Sequence, residues 1–397
     1  MTKQLTTALL LLLTIAPCLT WAQKKELSQA RSYIKSGKEK ELEQAEQMMT
    51  NLLKDQKNKT NKKIYLTWFD AVRGRYTIAN ERLYLKQKQD TAAFFNLNRQ
   101  MFTILETLDS LEMRPDAKGR IDLEYRNKHA ELLNTHRPNL FNAGSYQLRK
   151  REWQKAFDYF EFYIDCDRQP LFTGRNYDST DVRMPEAAYW ATYCGYKMKN
   201  AVLTLRYHKL ALRDSAKASF TLQYIAEARH WLNDQELYLK TLEEGFQRYP
   251  TFSYFFPRLM DAYSQNEQYD KALAAADKAL AVCDTCSLYL FAKSTMLFRM
   301  QRYEESIKVS DQIIAVDPNL AEAHFNAGTG YLNIALTLDE RKDKKQLRQL
   351  YQKARPYMER YRQLMPNEKE KWGPALYRIY LNLNMGKQFD EIDQLLR

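Results

Sequence analysis

The sharpest chemical motif in the chain is Cys283-Asp284-Thr285-Cys286, a C-x-x-C. That spacing serves dithiol redox centres and half of many zinc sites. Redox activation needs a lowered thiol pKa, which a helix N-terminus favours and a helix C-terminus opposes. The pair follows the alanine-rich run that ends at Val282, at the close of a helical pattern, so activation is not expected. In an oxidising compartment a local disulfide between Cys283 and Cys286 is the expectation, with two free thiols as the alternative. The five histidines, His129, His136, His208, His230 and His324, form no H-E-x-x-H and no other ligand spacing, so no metal is expected. G-x-S-x-G, the P-loop and the dinucleotide fingerprint are all missing from the sequence. Acid pairs such as Glu243-Glu244 and Glu304-Glu305 fit solvated helix faces. Asn58-Lys59-Thr60 matches a glycosylation sequon, a triplet that arises readily by chance. No constellation supports an enzyme or a cofactor.

The elements that hold these residues are helices. Of 397 residues only 11 are Gly and 11 Pro, roughly 3% each against about 7% and 5% in average usage. So few turn formers in so long a chain point to an all-α fold, and 45% apolar residues with 28% charged exclude wholesale disorder. Residues 1–22 read as a secretory signal peptide, with Lys3, the apolar stretch Ala8 to Ala16, and Thr20-Trp21-Ala22 before a cleavage at Gln23. Pro17 before Cys18 spoils a lipobox. No later apolar run is long enough to span a bilayer, so the expectation is an exported chain, periplasmic or extracellular.

The formal charge of +12 is concentrated at two ends. Residues 23–63 carry 11 Lys/Arg against 6 Asp/Glu, and residues 339–371 again carry 11 against 6. An exported chain meets little nucleic acid, so no nucleic-acid partner is expected. Solvated helix faces account for such ends, and attraction to anionic glycan, lipid or an acidic protein is the functional alternative.

A sequence repeat with a period of roughly 34 residues organises the chain. Tyr249-Pro250 and Asp317-Pro318 lie two such periods apart. Windows at this interval begin at 185, 219, 253, 287 and 321, each with two helical patterns around a short polar break. In 253–286, Leu259, Ala262 and Tyr263 mark the first helix, while Ala272, Ala276 and Ala279 put three small residues on one face of the second. Gln301 to Ser306 opens the second helix of the next window, and Val316-Asp317-Pro318-Asn319 closes it.

These residues resemble the tetratricopeptide repeat (TPR) family. Its pattern has a large residue at position 4, Leu-Gly at 7–8, Tyr at 11, small or apolar residues at 20, 24 and 27, and Pro at 32. Window 137–170 fits through Leu140, Ala143, Gly144, Trp153, Ala156, Phe160 and Tyr163. Window 321–368 fits through Ala327-Gly328, Tyr331, Ala354 and Pro366, with an insertion between its helices. Residues 171–184 form a second insertion, and 373–397 a last pair containing Phe389, Ile392 and Leu396. The array is thus 137–170, 185–218, 219–252, 253–286, 287–320, 321–368 and 373–397. One pair cannot bury its own apolar faces, so stacked neighbours bury them in a right-handed α-solenoid of antiparallel helix pairs. Pro138, Pro185 and Pro374 are read as first-turn residues, and Pro356 as kinking or starting its helix. Cys166 and Cys194 fall on adjacent pairs, which leaves open whether they bridge. Residues 23–136 are a divergent helical region with helical spacing over Leu27–Ser36, Leu42–Lys54, Lys63–Leu85, Thr91–Leu111 and Gly119–Thr135. Asp90 and Asp116 are read as caps there.

The resemblance implies a non-enzymatic scaffold that binds a protein or peptide in a concave groove through positions 5, 9, 12 and 13 of each first helix. Carried over, these include Phe141 and Arg149, then Tyr189, Tyr193, Tyr196 and Lys197, then His230 and Trp231. Later windows give Phe291, Phe298 and Arg299, then Phe325. Aromatic residues beside cations suit a binding hot spot, although such rings also pack between helices. The Lys at position 5 and Asn at position 9 of the family's chaperone-tail clamp occur in no window. An adaptor in an envelope assembly is therefore the leading expectation. A basic binder of anionic glycan or lipid, or a thiol-redox helper using Cys283 and Cys286, stands behind it.

Overall fold

The computed structural model describes residues 23–116 and 118–396, so the signal-peptide reading of residues 1–22 lies outside the described residues. The protein is all-α, with no strand among those residues. Two compact units divide after Leu232.

The first unit holds α1 (23–36), α2 (Glu39–Leu52), α3 (Lys62–Tyr84), α4 (Thr91–Glu112), α5 (Arg126–His136), α6 (Pro138–Arg149) and α7 (Trp153–Asp165). It continues with α8 (Tyr177–Thr180), α9 (Met184–Lys197), α10 (Ala201–Arg206), α11 (His208–Ala211) and α12 (Ala218–Trp231). The second unit holds α13 (Gln235–Arg248), α14 (Phe255–Gln265), α15 (Tyr269–Val282), α16 (Ser287–Arg299) and α17 (Tyr303–Val316). It ends with α18 (Ala321–Leu336), α19 (Lys344–Leu364), α20 (Lys369–Leu383) and α21 (Gly386–Leu396). Within each unit most consecutive helices pack on one another. The first helices of successive pairs also touch, as α9 does α12 and α16 does α18.

The backbone repeats the period seen in the sequence. Lys199, Asn233, Glu267 and Gln301, spaced by that interval, all have left-handed φ between 53° and 60°. Arg151 shares the conformation, one period and the 171–184 insertion before Lys199. Each follows the first helix of its window. After Arg151, Lys199, Glu267 and Gln301 the next amide donates back over the turn: Glu152 to Gln147 O, Asn200 to Gly195 O, Gln268 to Tyr263 O and Arg302 to Leu297 O, at 2.8–3.1 Å. This is the Schellman closure, usually built with glycine. Small residues let the paired helices approach. Ala272, Ala276 and Ala279 are fully buried. In the next pair Ser294 meets Ser306 and Ser310 at 3.2 and 2.7 Å, so the buried hydroxyls satisfy one another. A very close approach occurs at Gly195, where a Cβ would stand 2.4 Å from the backbone N of Thr204.

Several local readings are corrected. Residues 171–184 are a packed plug, with Leu171, Phe172 and Tyr177 buried in the first unit's core. The plug is held by Arg137, whose guanidinium lies 3.8 Å from the Tyr163 ring and 3.9 Å from the Tyr177 ring. Arg137 also pairs with Asp181 and donates to Tyr163 O at 3.0 Å. Burial alone would push the Asp181 carboxyl up, but hydrogen bonds from Tyr163 and Arg137 outweigh it and hold it below the usual range. Asp116 closes a turn by accepting from Lys118 and Arg120 N–H, and the helix expected from Gly119 starts at Arg126. Asp90 does cap α4, accepting from Ala92 N at 2.8 Å. Pro374 lies inside α20 rather than in its first turn, because that helix starts upstream at Lys369, and of the two readings of Pro356 the helix start is excluded, because α19 begins at Lys344. The insertion in 321–368 lengthens α18 and α19 to 16 and 21 residues rather than forming a long loop.

Candidate partner-binding surface

In the first unit the expected residues fall on two neighbouring helices. Tyr189, Tyr193 and Tyr196 recur at i, i+4 and i+7 on α9, and Tyr224 and Trp231 at i, i+7 on α12, so each set shares a face. Their rings form a ladder. Trp153, at the start of α7, meets Tyr193 edge-on at 5.9 Å, and Tyr193 lies 5.7 Å from Tyr224. Tyr224 stacks on Tyr196 at 4.5 Å, and Tyr196 stacks on Trp231 at 5.8 Å, with interplanar angles of 25° and 15°. Offset contacts of this kind are each worth about 0.5–1.5 kcal/mol beyond area burial.

The rungs differ in exposure. Tyr189 and Tyr224 are buried, whereas Tyr193, Tyr196 and Trp231 are half-buried and reach solvent. Tyr189 is thus a support for the surface, with its ring against Trp190 and Tyr224. Burial, and next the hydrogen bond with Tyr189, pushes the Tyr224 hydroxyl well above its ordinary pKa, so it stays neutral. Phe141 is half-buried, with its ring on Phe160 and Tyr163 of α7, and so belongs to its own helix pair. Arg149, Lys197 and His230 are exposed. Lys197 Nζ stands 5.5 Å over the Tyr193 ring, within cation–π range. Trp190 was not among the expected positions. It packs on Tyr193 at 5.8 Å and donates to Glu186 at 3.3 Å. Trp190 and Tyr224 share position 6 of their windows, a coincidence of aromatic residues visible in the sequence.

The second unit uses its aromatic residues differently. Phe298 meets Tyr303 edge-on at 5.3 Å, and Phe325 lies 5.0 Å from Tyr361. Both pack on the second helix of their own pair. Phe291 is half-buried against a core of Leu290, Leu297, Val309 and Ile313. Of this set only Arg299 is exposed.

The C-x-x-C spans two helices. Cys283 caps the C-terminus of α15, and Cys286 immediately precedes α16. The sequence-based view, with both at a helix C-terminus, therefore holds for Cys283 and is reversed for Cys286. No sulfur–sulfur bond joins them, and Cys166 and Cys194 are buried free thiols. Burial pushes the Cys194 thiol up to about 12, which keeps it protonated and inert. His129 is buried, stacked on Tyr125 at 5.5 Å, and burial drives its pKa down to about 4. Among the described residues no cluster of His, Cys, Asp and Glu suits a metal ion. None of their helices is long and apolar enough to cross a membrane.

No family model matches the chain, and no curated protein matches it by sequence. Several solved structures are similar. The C-terminal part of a TPR repeat-containing protein from Cytophaga hutchinsonii shares 13% identity over 64% of this chain and 92% of its own, with a TM-score of 0.43. The MamA protein shares 13% identity over 47% of this chain and 95% of its own, with a TM-score of 0.36. YrrB, a TPR protein with an unusual peptide-binding site, shares 15% identity over 49% of this chain and 90% of its own, with a TM-score of 0.36.

Proposed function

We propose that this protein is a non-enzymatic adaptor that docks a segment of a protein partner on the α9–α12 face of its first unit. The observation that carries the reading is the ladder Trp153–Tyr193–Tyr224–Tyr196–Trp231, buried at its base and open at Tyr193, Tyr196 and Trp231. Rings already held by stacking lose little conformational freedom on binding, which is what a hot spot needs. Cations stand beside the face: Lys197, the last residue of α9, lies over the Tyr193 ring, and Lys199 follows it, both exposed. They favour a segment with acidic residues beside its apolar anchors. With the export expected from residues 1–22, the adaptor works in the cell envelope, in the assembly or maintenance of a complex.

The test is a pull-down from envelope extract with wild type and with Tyr193→Ala/Tyr196→Ala/Trp231→Ala, after circular dichroism shows both folded. Hot-spot truncations cost about 2 kcal/mol or more, so the variant is expected to lose at least about 30-fold in partner affinity. Equal recovery with both proteins would reject the face.

A further inference from the structure

A second site lies wholly in the second unit. Around a cavity of about 340 Å³ stand Lys344 and Arg348 of α19, Arg378 of α20, Tyr351 and the exposed Leu336. That volume falls within the range of small-ligand sites, about 300–1,000 Å³. Lys344 and Arg348 are four residues apart on one helix face, and Arg378 joins them from the next helix. None of the three has an acidic side chain within ion-pair distance among the described residues. Arg378 is also held in place. Its Nε donates to Tyr351 Oη at 3.1 Å, so the guanidinium's terminal N–H groups remain to face a ligand. Glu340 is the one acid lining the cavity. Three cations against one carboxylate leave an excess of about two positive charges around the cavity.

We infer that this cavity binds a phosphate group, an anion that complements the excess positive charge and accepts bidentate contacts from arginine. A soluble phosphate ester and the headgroup of an anionic lipid share that chemistry. The exposed Leu336 beside the cavity suits either an ester's apolar substituent or a lipid's glycerol region.

Titration of the full exported chain with glycerol 3-phosphate by calorimetry, and flotation with phosphatidylglycerol or phosphatidylcholine vesicles, distinguishes the sources. The cavity variant is Arg348→Gln/Arg378→Gln, and a charge-matched control is Lys369→Gln/Lys371→Gln, outside the cavity. Because Arg378 contacts Tyr351, Lys344→Gln/Arg348→Gln, on exposed positions, repeats the test without disturbing packing. Saturable binding of either probe that falls at least tenfold in both cavity variants and less than twofold in the control supports the site. The probe that shows it identifies the source. No saturable binding of either probe, or equal losses in cavity and control variants, overturns it.

Discussion

Replacing Gly195 by alanine adds one methyl group where α9 meets the first turn of α10. The new carbon would stand 2.4 Å from Thr204 N and 2.7 Å from both Leu203 C and Thr204 Cα. Ordinary contacts of this type begin near 3.4 Å, so the helices must part by about 1 Å. The clashing atoms are backbone and cannot rotate away. A gap of that size forfeits a quarter to a half of the dispersion well along the lining, here the fully buried Ala191, Cys194 and Thr204. Overpacking of this kind costs about 1–3 kcal/mol, and a parting of backbones belongs at the upper end. Alanine's better helix propensity returns about 1 kcal/mol. Gly195→Ala is therefore expected to destabilise by about 2 kcal/mol, lowering Tm by roughly 4–8 °C for a unit of this size. Gly386→Ala is the control, because a Cβ there meets nothing within 4 Å. Urea denaturation followed by circular dichroism reads both. Wild-type or higher stability of Gly195→Ala would refute the reasoning, since helix propensity would then have outweighed packing.

Two further perturbations test burial and turn geometry. Glu106 on α4 has a buried oxygen without a hydrogen bond, and burial first, then the charge of Asp165, pushes its carboxyl from 4.5 to about 8. Between those values the folded state binds more protons than the unfolded, so stability falls as pH rises through that window. At about 1.4 kcal/mol per pKa unit, Glu106→Gln should gain a few kcal/mol over wild type above pH 8 and flatten the slope of stability from pH 5 to 8. A slope unchanged in the variant would contradict the assignment. At Gln301, the left-handed φ of 60° costs a non-glycine residue about 1–2 kcal/mol, partly offset by glycine's greater unfolded-state freedom. Gln301→Gly is expected to stabilise by about 0.5–1 kcal/mol in thermal melts, and Lys308→Gly, inside α17, to lose about 1 kcal/mol.

The sequence shows the repeat because the repeat is carried by residue size. Ala272, Ala276 and Ala279 had to be small for two backbones to approach, and small residues at i, i+4 and i+7 are visible without coordinates. The left-handed turn positions were hidden, since Lys199, Glu267 and Gln301 are unusual choices for that conformation, and tertiary contacts of the flanking helices hold them in it. The insertion at 171–184 gives no sign in the sequence of being a packed plug, because its buried residues, Leu171, Phe172 and Tyr177, follow no helical period. Asp181 has its role through Arg137 and Tyr163, both remote in the chain and brought to it by the fold. The proposed docking face was legible in part. Spacing put Tyr189, Tyr193 and Tyr196 on one side of α9, but nothing local says that Tyr189 turns inward while Tyr196 stays open. That difference comes from Tyr224 of the next first helix, which covers one ring and stacks beneath the other.

A photo-crosslinking amino acid at position 196, introduced in cells, tests the central claim most directly. Tyr84, an aromatic residue on α3 that is 85% exposed, supplies the control position for a probe that is merely accessible. A discrete crosslinked partner at 196, lost when Trp231→Ala is added and not formed from position 84, is the result expected of a docking face. The same products from both positions, or none from 196 with the protein folded and exported, would contradict it.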